Sequence, residues 1–559
     1  MIYGRRRWLG ALVLFFAVIV LYQSTYSSVP TSDGYAWIAH INSGDYEKIL
    51  PAYHALPMYL LFRLTRLLAG LGIPVATLTL IQAVNSVLAG LGAVLLYGTV
   101  GILGGGIASS VVGGCLLAVS FAYWYFANGE LHHFSPVVLQ LIFLLLVRAR
   151  IKGRPYGYGF LVGLGLLNAL AVLLHQENFL FGFAVVALIM VGRPWRQSLK
   201  EGVVYAAAGS FWTAVLALTI SVHLRGVKSP GEFLRWFFWL FYATGPAPYT
   251  LGSPPAAALR ALKGQLTAFV FGTQVVSDVA KEPILLGSGT AEWLLGATAA
   301  VYAIVILLLV GLWRERRSME DPLAAACVGC VAWILSYKVF LHSWFWPTAP
   351  EYSVVTLPPL ILILVLGPIA VKARSVHGGR HPRWPVAAPA ALLILVAAVN
   401  LQAGILPWYR YGELRQLVAA RLGPEAQPDG FFISSESGID SVLFTEGNHL
   451  GVKDVFTRSS KEEGFAAIRN AIEDHLTPGR VFVYNLVPAP FTLLGMNHGG
   501  GRRGEAPLVA GDFEAFAVAL ERSYVFIPVL TYWEESRDPL YLFGRRTQVV
   551  WGLERKVVR

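Results

Sequence analysis

Asp33, His54, Glu130, His132, His133, His175, Glu177, Lys338, His342 and Glu351 are the residues best equipped for chemistry in a chain that is 55% hydrophobic and only 14% charged. They fall in four short polar stretches: "SDGYAWIAHINSGDYEKILPAYH", "WYFANGELHHFSP", "LLHQENFLF" and "SYKVFLHSWFWPTAPEYS". Carboxylates beside histidines permit general base catalysis or metal ligation. A lysine near membrane depth pairs strongly with a phosphate, because charge-assisted bonds strengthen as the local dielectric falls. Trp124, Tyr125, Trp344 and Trp346 supply aromatic faces in the same stretches. Each residue also has a plain reading. A turn histidine is commonly solvated, Lys338 can snorkel outward, and Glu351 after Pro350 can serve a helix N-terminus.

These residues must be positioned by membrane helices. A span needs about 20 mostly apolar residues, and the 559-residue chain offers about eleven such stretches, near 8–24, 77–100, 104–123, 134–150, 157–174, 179–192, 201–222, 291–313, 322–341, 353–371 and 386–406. The basic, apolar N-terminus reads as an uncleaved signal anchor. The stretch His54–Gly70 is nearly long enough to span, yet carries Pro57, Arg63 and Arg66. An arginine at mid-bilayer costs about 2.5–3.5 kcal/mol on insertion scales. With this stretch at the interface, the arginine- and lysine-bearing loops 148–154, 193–200, 314–317 and 372–383 all become cytoplasmic, as the positive-inside rule requires. Loops 124–133, 175–178 and 343–352, which lack Lys and Arg, then face outward, and all four polar stretches share that outer face. The net charge of +11 is therefore a topology signal and does not point to nucleic acid. Ionisable groups clustered at membrane depth mark function.

The outer loops are expected over 25–76 and 223–290, the latter containing an amphipathic helix in "AAALRALKGQLTAFVFG". After Pro407 the composition becomes soluble-like. Strands at 430–435, 480–486 and 525–530 alternate with helices at 461–476 and 512–524, which predicts a C-terminal soluble α/β domain, 407–559, with a mainly parallel sheet. "NHGGGRRGE" (497–505) reads as a loop without phosphate-binding context. The three cysteines lie in apolar stretches, and the Cys327–Cys330 pair reads as small apolar helix positions.

The ionisable set suits transfer of a sugar from a polyprenyl phosphate to an acceptor at the outer membrane surface. Its order also resembles the C-type membrane glycosyltransferases (the GT-C superfamily), in the branch of protein O-mannosyltransferases and the lipid A aminoarabinose transferase. The resemblance rests on the acidic Asp33 in "SDGYAWI", on "HALPMYLLFR", on "ANGELHHFSPVVLQLIFLLL" and on "WFWPTAPEYSVVTLPPLILIL", over residues 1–406. It implies a polytopic α-helical catalytic domain in the plasma membrane with its C-terminal domain extracytoplasmic. It further implies a polyprenyl-phosphate-sugar lipid donor, a protein, glycan or lipid acceptor, and an inverting displacement with Asp33 as general base. His54, Glu130, His132, His133, His175, Glu177, Lys338, His342 and Glu351 are the candidate substrate-binding residues, with Lys338 and His342 at the leaving phosphate. No cofactor is required by the pattern, and a divalent metal stays open. Members of the family often carry a second acid beside the first, whereas Gly34 follows Asp33 here. The alternative function is a transporter or flippase of a lipid-linked or polar solute, which predicts ionisable residues at mid-span and two related halves.

Overall fold

The structure is a computed structural model. It describes residues 2–28, 30, 34–51, 54–153, 155–238, 254–274, 276, 289–317, 319, 321–344, 350–377, 384–406, 409, 431–434, 449–452, 455–456, 460–476, 481–484, 509–536 and 544–555. The chain divides into two compact units, one of residues 1–26 and 36–406, the other of 27–35 and 407–559.

The described residues of the first unit form helices joined by turns, as a lipid-facing backbone must to satisfy its own polar groups. In chain order its helices are α1 (Ile2–Gln23), α2 (Gly34–Ser43), α3 (Ala55–Gly70), α4 (Thr77–Ile102), α5 (Ile107–Val119), α6 (Phe134–Ile151), α7 (Tyr158–Leu174), α8 (Phe181–Met190), α9 (Trp195–Thr219), α10 (Pro230–Phe237), α11 (Pro254–Phe269), α12 (Gly289–Glu315), α13 (Asp321–Trp344), α14 (Leu357–His377) and α15 (Trp384–Asn400). Among the described residues, eight helices are long and apolar enough to cross a membrane. This makes the protein a multi-pass membrane protein.

The expected eleven spans thus reduce to fewer full-length ones, for local reasons. The stretch expected to span 104–123 breaks at Ser120, whose extended backbone turns α5 into the short helix Phe121–Tyr125. The two pieces, Ile107–Val119 and Phe121–Asn128, meet at 64°. The stretches expected at 157–174 and 179–192 are shorter helices, Tyr158–Leu174 and Gln176–Met190, interrupted at His175.

Helix α3 shows why His54–Gly70 is not an ordinary span. It buries one face, Ala55, Pro57, Met58, Leu61 and Phe62. That face joins a core with Leu80 and Ile81 at the start of α4, Leu173 at the end of α7, Ala217 at the end of α9 and Trp236 of α10. Helix α3 therefore packs against helix ends. Arg63 and Arg66 on its other side lie over the rings of Tyr59 and Phe62, at 6.0 and 5.4 Å. The indole of Trp236 donates to the carbonyl of Leu50 at 2.9 Å and Arg225 donates to the same carbonyl at 3.1 Å, tying the 223–237 segment to this layer.

The second unit contains β1 (Phe431–Ser434), β2 (His449–Gly451), α16 (Lys461–His475), β3 (Val481–Tyr484), α17 (Ala510–Ser523), β4 (Tyr524–Ser536) and β5 (Gly544–Arg555). The strand order is β2-β1-β3-β5-β4. Strand β1 pairs in parallel with β2 and β3, whereas β5 pairs antiparallel with both β3 and β4. The sheet is accordingly mixed and not mainly parallel. The difference comes from β5, whose "GRRTQVVWGLER" has four charged residues and no clean apolar alternation, and which folds back on β4 as a long hairpin. Pro528 sits where the β4–β5 register shifts, the position in a sheet that tolerates a missing N–H. Ile433, Val481 and Val483 pack with Ile468 and Ile472 of α16 and Phe513 and Leu520 of α17. Helix α16 begins with a capping box, Ser460 and Glu463 exchanging bonds with each other's backbone. The expected loop 497–505 lies outside the described residues.

Candidate functional site

The polar residues converge where α4 and α6 begin and where α7 and α13 end. The turn between α5 and α6 is held from α4. The amide of Asn85, fully buried, donates to the carbonyls of Ala127 at 2.9 Å and Glu130 at 2.6 Å. Gln82, one helical turn earlier, donates to the side-chain oxygen of Asn128 at 3.1 Å. This fixes the buried Glu130, whose Oε2 lies 2.9 Å from His132 Nε2. Next to this pair stand the rings of His54 and His175. The His54–His175 centroids are 4.4 Å apart, His54–His132 5.9 Å and His132–His175 6.3 Å. Trp37 of α2 closes the group, 5.0 Å from His54 and 5.6 Å from His132. His54 is oriented by a contact of 3.4 Å between its Nδ1 and the carbonyl of Leu174.

On the far side of His175, a Glu177 oxygen lies 3.5 Å from Nδ1 of the imidazole, an ion-pair distance without hydrogen-bond alignment. Glu177 is buried, and desolvation pushes its carboxyl up to about 8, partly opposed by the charge of Lys338. Lys338 on α13 donates to Ser353 Oγ at 2.5 Å. Between these groups runs a closed network. Asn178 donates to Ser135 Oγ at 2.8 Å and to the carbonyl of Ala171 at 2.7 Å, and accepts from the hydroxyl of Tyr337 at 2.8 Å. It fixes the His175–Leu180 turn against α6 and α13.

The structure therefore brings together His54, Glu130, His132, His175, Glu177 and Lys338. His133 is turned away from them. Its Nε2 meets the carbonyl of Tyr123 at 2.7 Å and its ring packs on Tyr123 at 4.6 Å, fully buried, so it braces the turn. Glu351 is half-buried at the start of the 3-10 turn Glu351–Thr356, two residues before Ser353. Asp33 lies outside the described residues, as do the side chains of His342, Trp344 and Trp346. Trp124 and Tyr125, expected to offer their faces to a sugar, are 3% and 2% exposed. Trp124 stacks on Tyr22 and donates to Thr25 Oγ1 at 2.8 Å, and Tyr125 stacks on Phe121. Trp37, Asn178, Tyr337 and Ser353 join the site without having been singled out from sequence. Only Asn178 carried a signal, as part of "HQEN" in a very short turn.

His54 packs edge against face with both His132 and His175, and among the described residues no three His, Cys, Asp or Glu side chains converge on a common point as metal ligands do. What the arrangement offers is two acid–histidine pairs, an aromatic wall and one lysine, at one end of the bundle.

Fold and site together define a multi-pass helical membrane protein with a buried ionisable cluster at one end. Neither a protein-family model nor a curated protein matches the chain. Among solved structures it is similar to ArnT from Cupriavidus metallidurans in the apo state, at 13% identity over 97% of this chain and 98% of that one, with a TM-score of 0.47. The same protein bound to undecaprenyl phosphate gives 13% identity, 98% of each chain and a TM-score of 0.45. The arabinofuranosyltransferase AftD from Mycobacteria gives 14% identity over 98% of this chain and 40% of its own, with a TM-score of 0.42.

Proposed function

We propose that the protein is a C-type membrane glycosyltransferase that moves a sugar from a polyprenyl-phosphate-linked donor to an acceptor at the outer face of the plasma membrane. The observation that carries this reading is the gathering of Glu130–His132, His54, His175–Glu177 and Lys338 at one end of the helices, in turns that the charge pattern of the loops assigns to the outside. A solute carrier would need such groups along a path through the bilayer.

In this reading Asp33 takes the proton from the acceptor hydroxyl as its oxygen attacks the anomeric carbon. The bond from that carbon to the phosphate oxygen breaks on the opposite face, and the configuration inverts. The polyprenyl phosphate leaves with the bonding electrons, and Lys338 answers the charge that develops on it. We assign His342 the same role at the leaving phosphate. His54, Glu130, His132, His175, Glu177 and Glu351 hold the sugar and the acceptor. Residues 1–406 form the catalytic domain and 407–559 an extracytoplasmic α/β domain.

The test is Asp33→Asn in purified full-length protein, assayed for transfer from polyprenyl-phosphate sugars. Transfer should fall by at least about a hundredfold, within the range of a lost general base, with insertion and thermal stability unchanged. Full activity in that variant would remove Asp33 as the base.

A further inference from the structure

At the opposite end of the bundle, α1 and α5 leave a groove between them. It encloses about 400 Å³ and is lined by Arg6, Leu9, Val13, Leu14, Ala17 and Cys115, among others, within the size range of small-molecule sites, about 300–1,000 Å³. Its walls are apolar except at one end. There two neighbouring arginines have different fates. Arg7 turns inward and donates to the carbonyls of Gly101 at 3.3 Å and Gly105 at 3.4 Å, where α4 ends. Arg6 is exposed, lines the groove, and forms no hydrogen bond or ion pair among the described residues.

The groove opens on a face that meets lipid. Leu9, Leu12, Val13, Phe16 and Val20 of α1 are all more than half exposed. Arg6 to Ala17 is eleven positions of helix, about 16 Å of rise, which matches one leaflet of a hydrocarbon core about 30 Å thick. The basic N-terminal flank places Arg6 at the cytoplasmic boundary, the leaflet surface where anionic headgroups concentrate.

We infer that the α1–α5 groove is a binding site for an anionic glycerophospholipid of the cytoplasmic leaflet, one acyl chain lying between Arg6 and Ala17 with the lipid phosphate on Arg6. Charge complementarity selects the headgroup, and the length of the apolar walls selects a single chain.

Native mass spectrometry of the full-length protein in detergent, titrated with phosphatidylglycerol or phosphatidylcholine, tests this. The wild type should retain phosphatidylglycerol in preference. Arg6→Gln should weaken that lipid about fivefold, the effect of one cation near an anionic headgroup, to the level of phosphatidylcholine, while Arg6→Lys keeps it. Ala17→Phe, which fills the groove, should weaken both lipids. Arg6 is exposed, so its variants should melt as the wild type does, and a lipid effect is then not a folding effect. Equal retention of the two lipids by the wild type, or undiminished phosphatidylglycerol in Arg6→Gln, would overturn the site.

Discussion

Between Glu130 and Glu177 stand the rings of His54, His132 and His175, and burial decides the charge of His54 and His175. Desolvation, then the neighbouring His132, lowers His54 from its ordinary 6.5 to about 3, and desolvation followed by His54 and His132 takes His175 well below its usual value. His133, under the same burial, is lowered to about 3. Glu177 goes the other way, from 4.5 up to about 8. Below pH 6.5 the unfolded chain binds more protons at these histidines than the folded one, so stability rises with pH up to that point. Glu177 has the opposite sign. Its folded state holds the proton more tightly, so its contribution is complete below pH 4.5 and is lost as pH rises through 8. Three histidines outweigh one carboxyl where the windows overlap, between about pH 4.5 and 6.5. The melting temperature of the purified protein should therefore rise over that window. In Glu177→Gln the rise should be steeper, because the opposing carboxyl is gone. A rise equal to that of the wild type would contradict the buried, protonated carboxyl.

At the scale of elements, the site depends on turns that cannot hold themselves. Within the 126–133 turn the amides of Gly129 and Glu130 both donate to the carbonyl of Phe126, and α4 ties down carbonyls beyond it. Asn85→Ala would strip partners from the carbonyls of Ala127 and Glu130. Each buried group left unpaired costs about 1–3 kcal/mol, so the melting temperature should drop clearly further than in Gln82→Ala, whose partner is a half-buried contact. Equal drops would mean that the turn is held by other packing. The Asn178 network plays the same part for the His175 turn, which explains how residues from α6, α7 and α13 arrive at one place.

Across the whole first unit, the end opposite the cluster carries its own fastening. The guanidinium of Arg150, at the last turn of α6, grips both oxygens of Asp321 at the start of α13, at 2.9 and 2.7 Å. It also donates to the carbonyl of Leu188 in α8 at 3.0 Å, and to Val191. Arg193 and Glu201 pair at 2.7 Å beside it, with Arg193 over the ring of Tyr156. The α13 that starts in this clasp carries Tyr337 and Lys338 toward its other end. Asp321→Ala leaves the buried Arg150 cation without its acid and should cost about 2 kcal/mol of stability, within the range for a charged group left unpaired. Added salt should remove only part of that loss, because Arg150 is buried while the Asp321 carboxylate is 55% exposed. A loss that vanishes at high salt would make the pair an ordinary surface one.

The sequence by itself determined the quantities that are summed along the chain. Apolar length, loop charge and Pro/Arg content located the helices and kept His54–Gly70 off the list of spans, and α3 indeed packs on helix ends. Turn position alone also grouped Glu130, His132, His175, Glu177 and Lys338, because short loops leave few places for a side chain to go. Only the tertiary structure decided what depends on direction. His132 and His133 are adjacent in sequence, yet one meets Glu130 and the other a backbone carbonyl behind it. Trp124 and Tyr125 are expected to offer aromatic faces and are spent on packing, whereas Trp37, which nothing in the sequence singles out, stands against two histidines. Neither the bend at Ser120 nor the antiparallel return of β5 has a period or a composition to announce it. The reason is physical: hydrophobicity and charge act on any segment of given composition, whereas the facing of a side chain is set by whichever partners the packing brings against it.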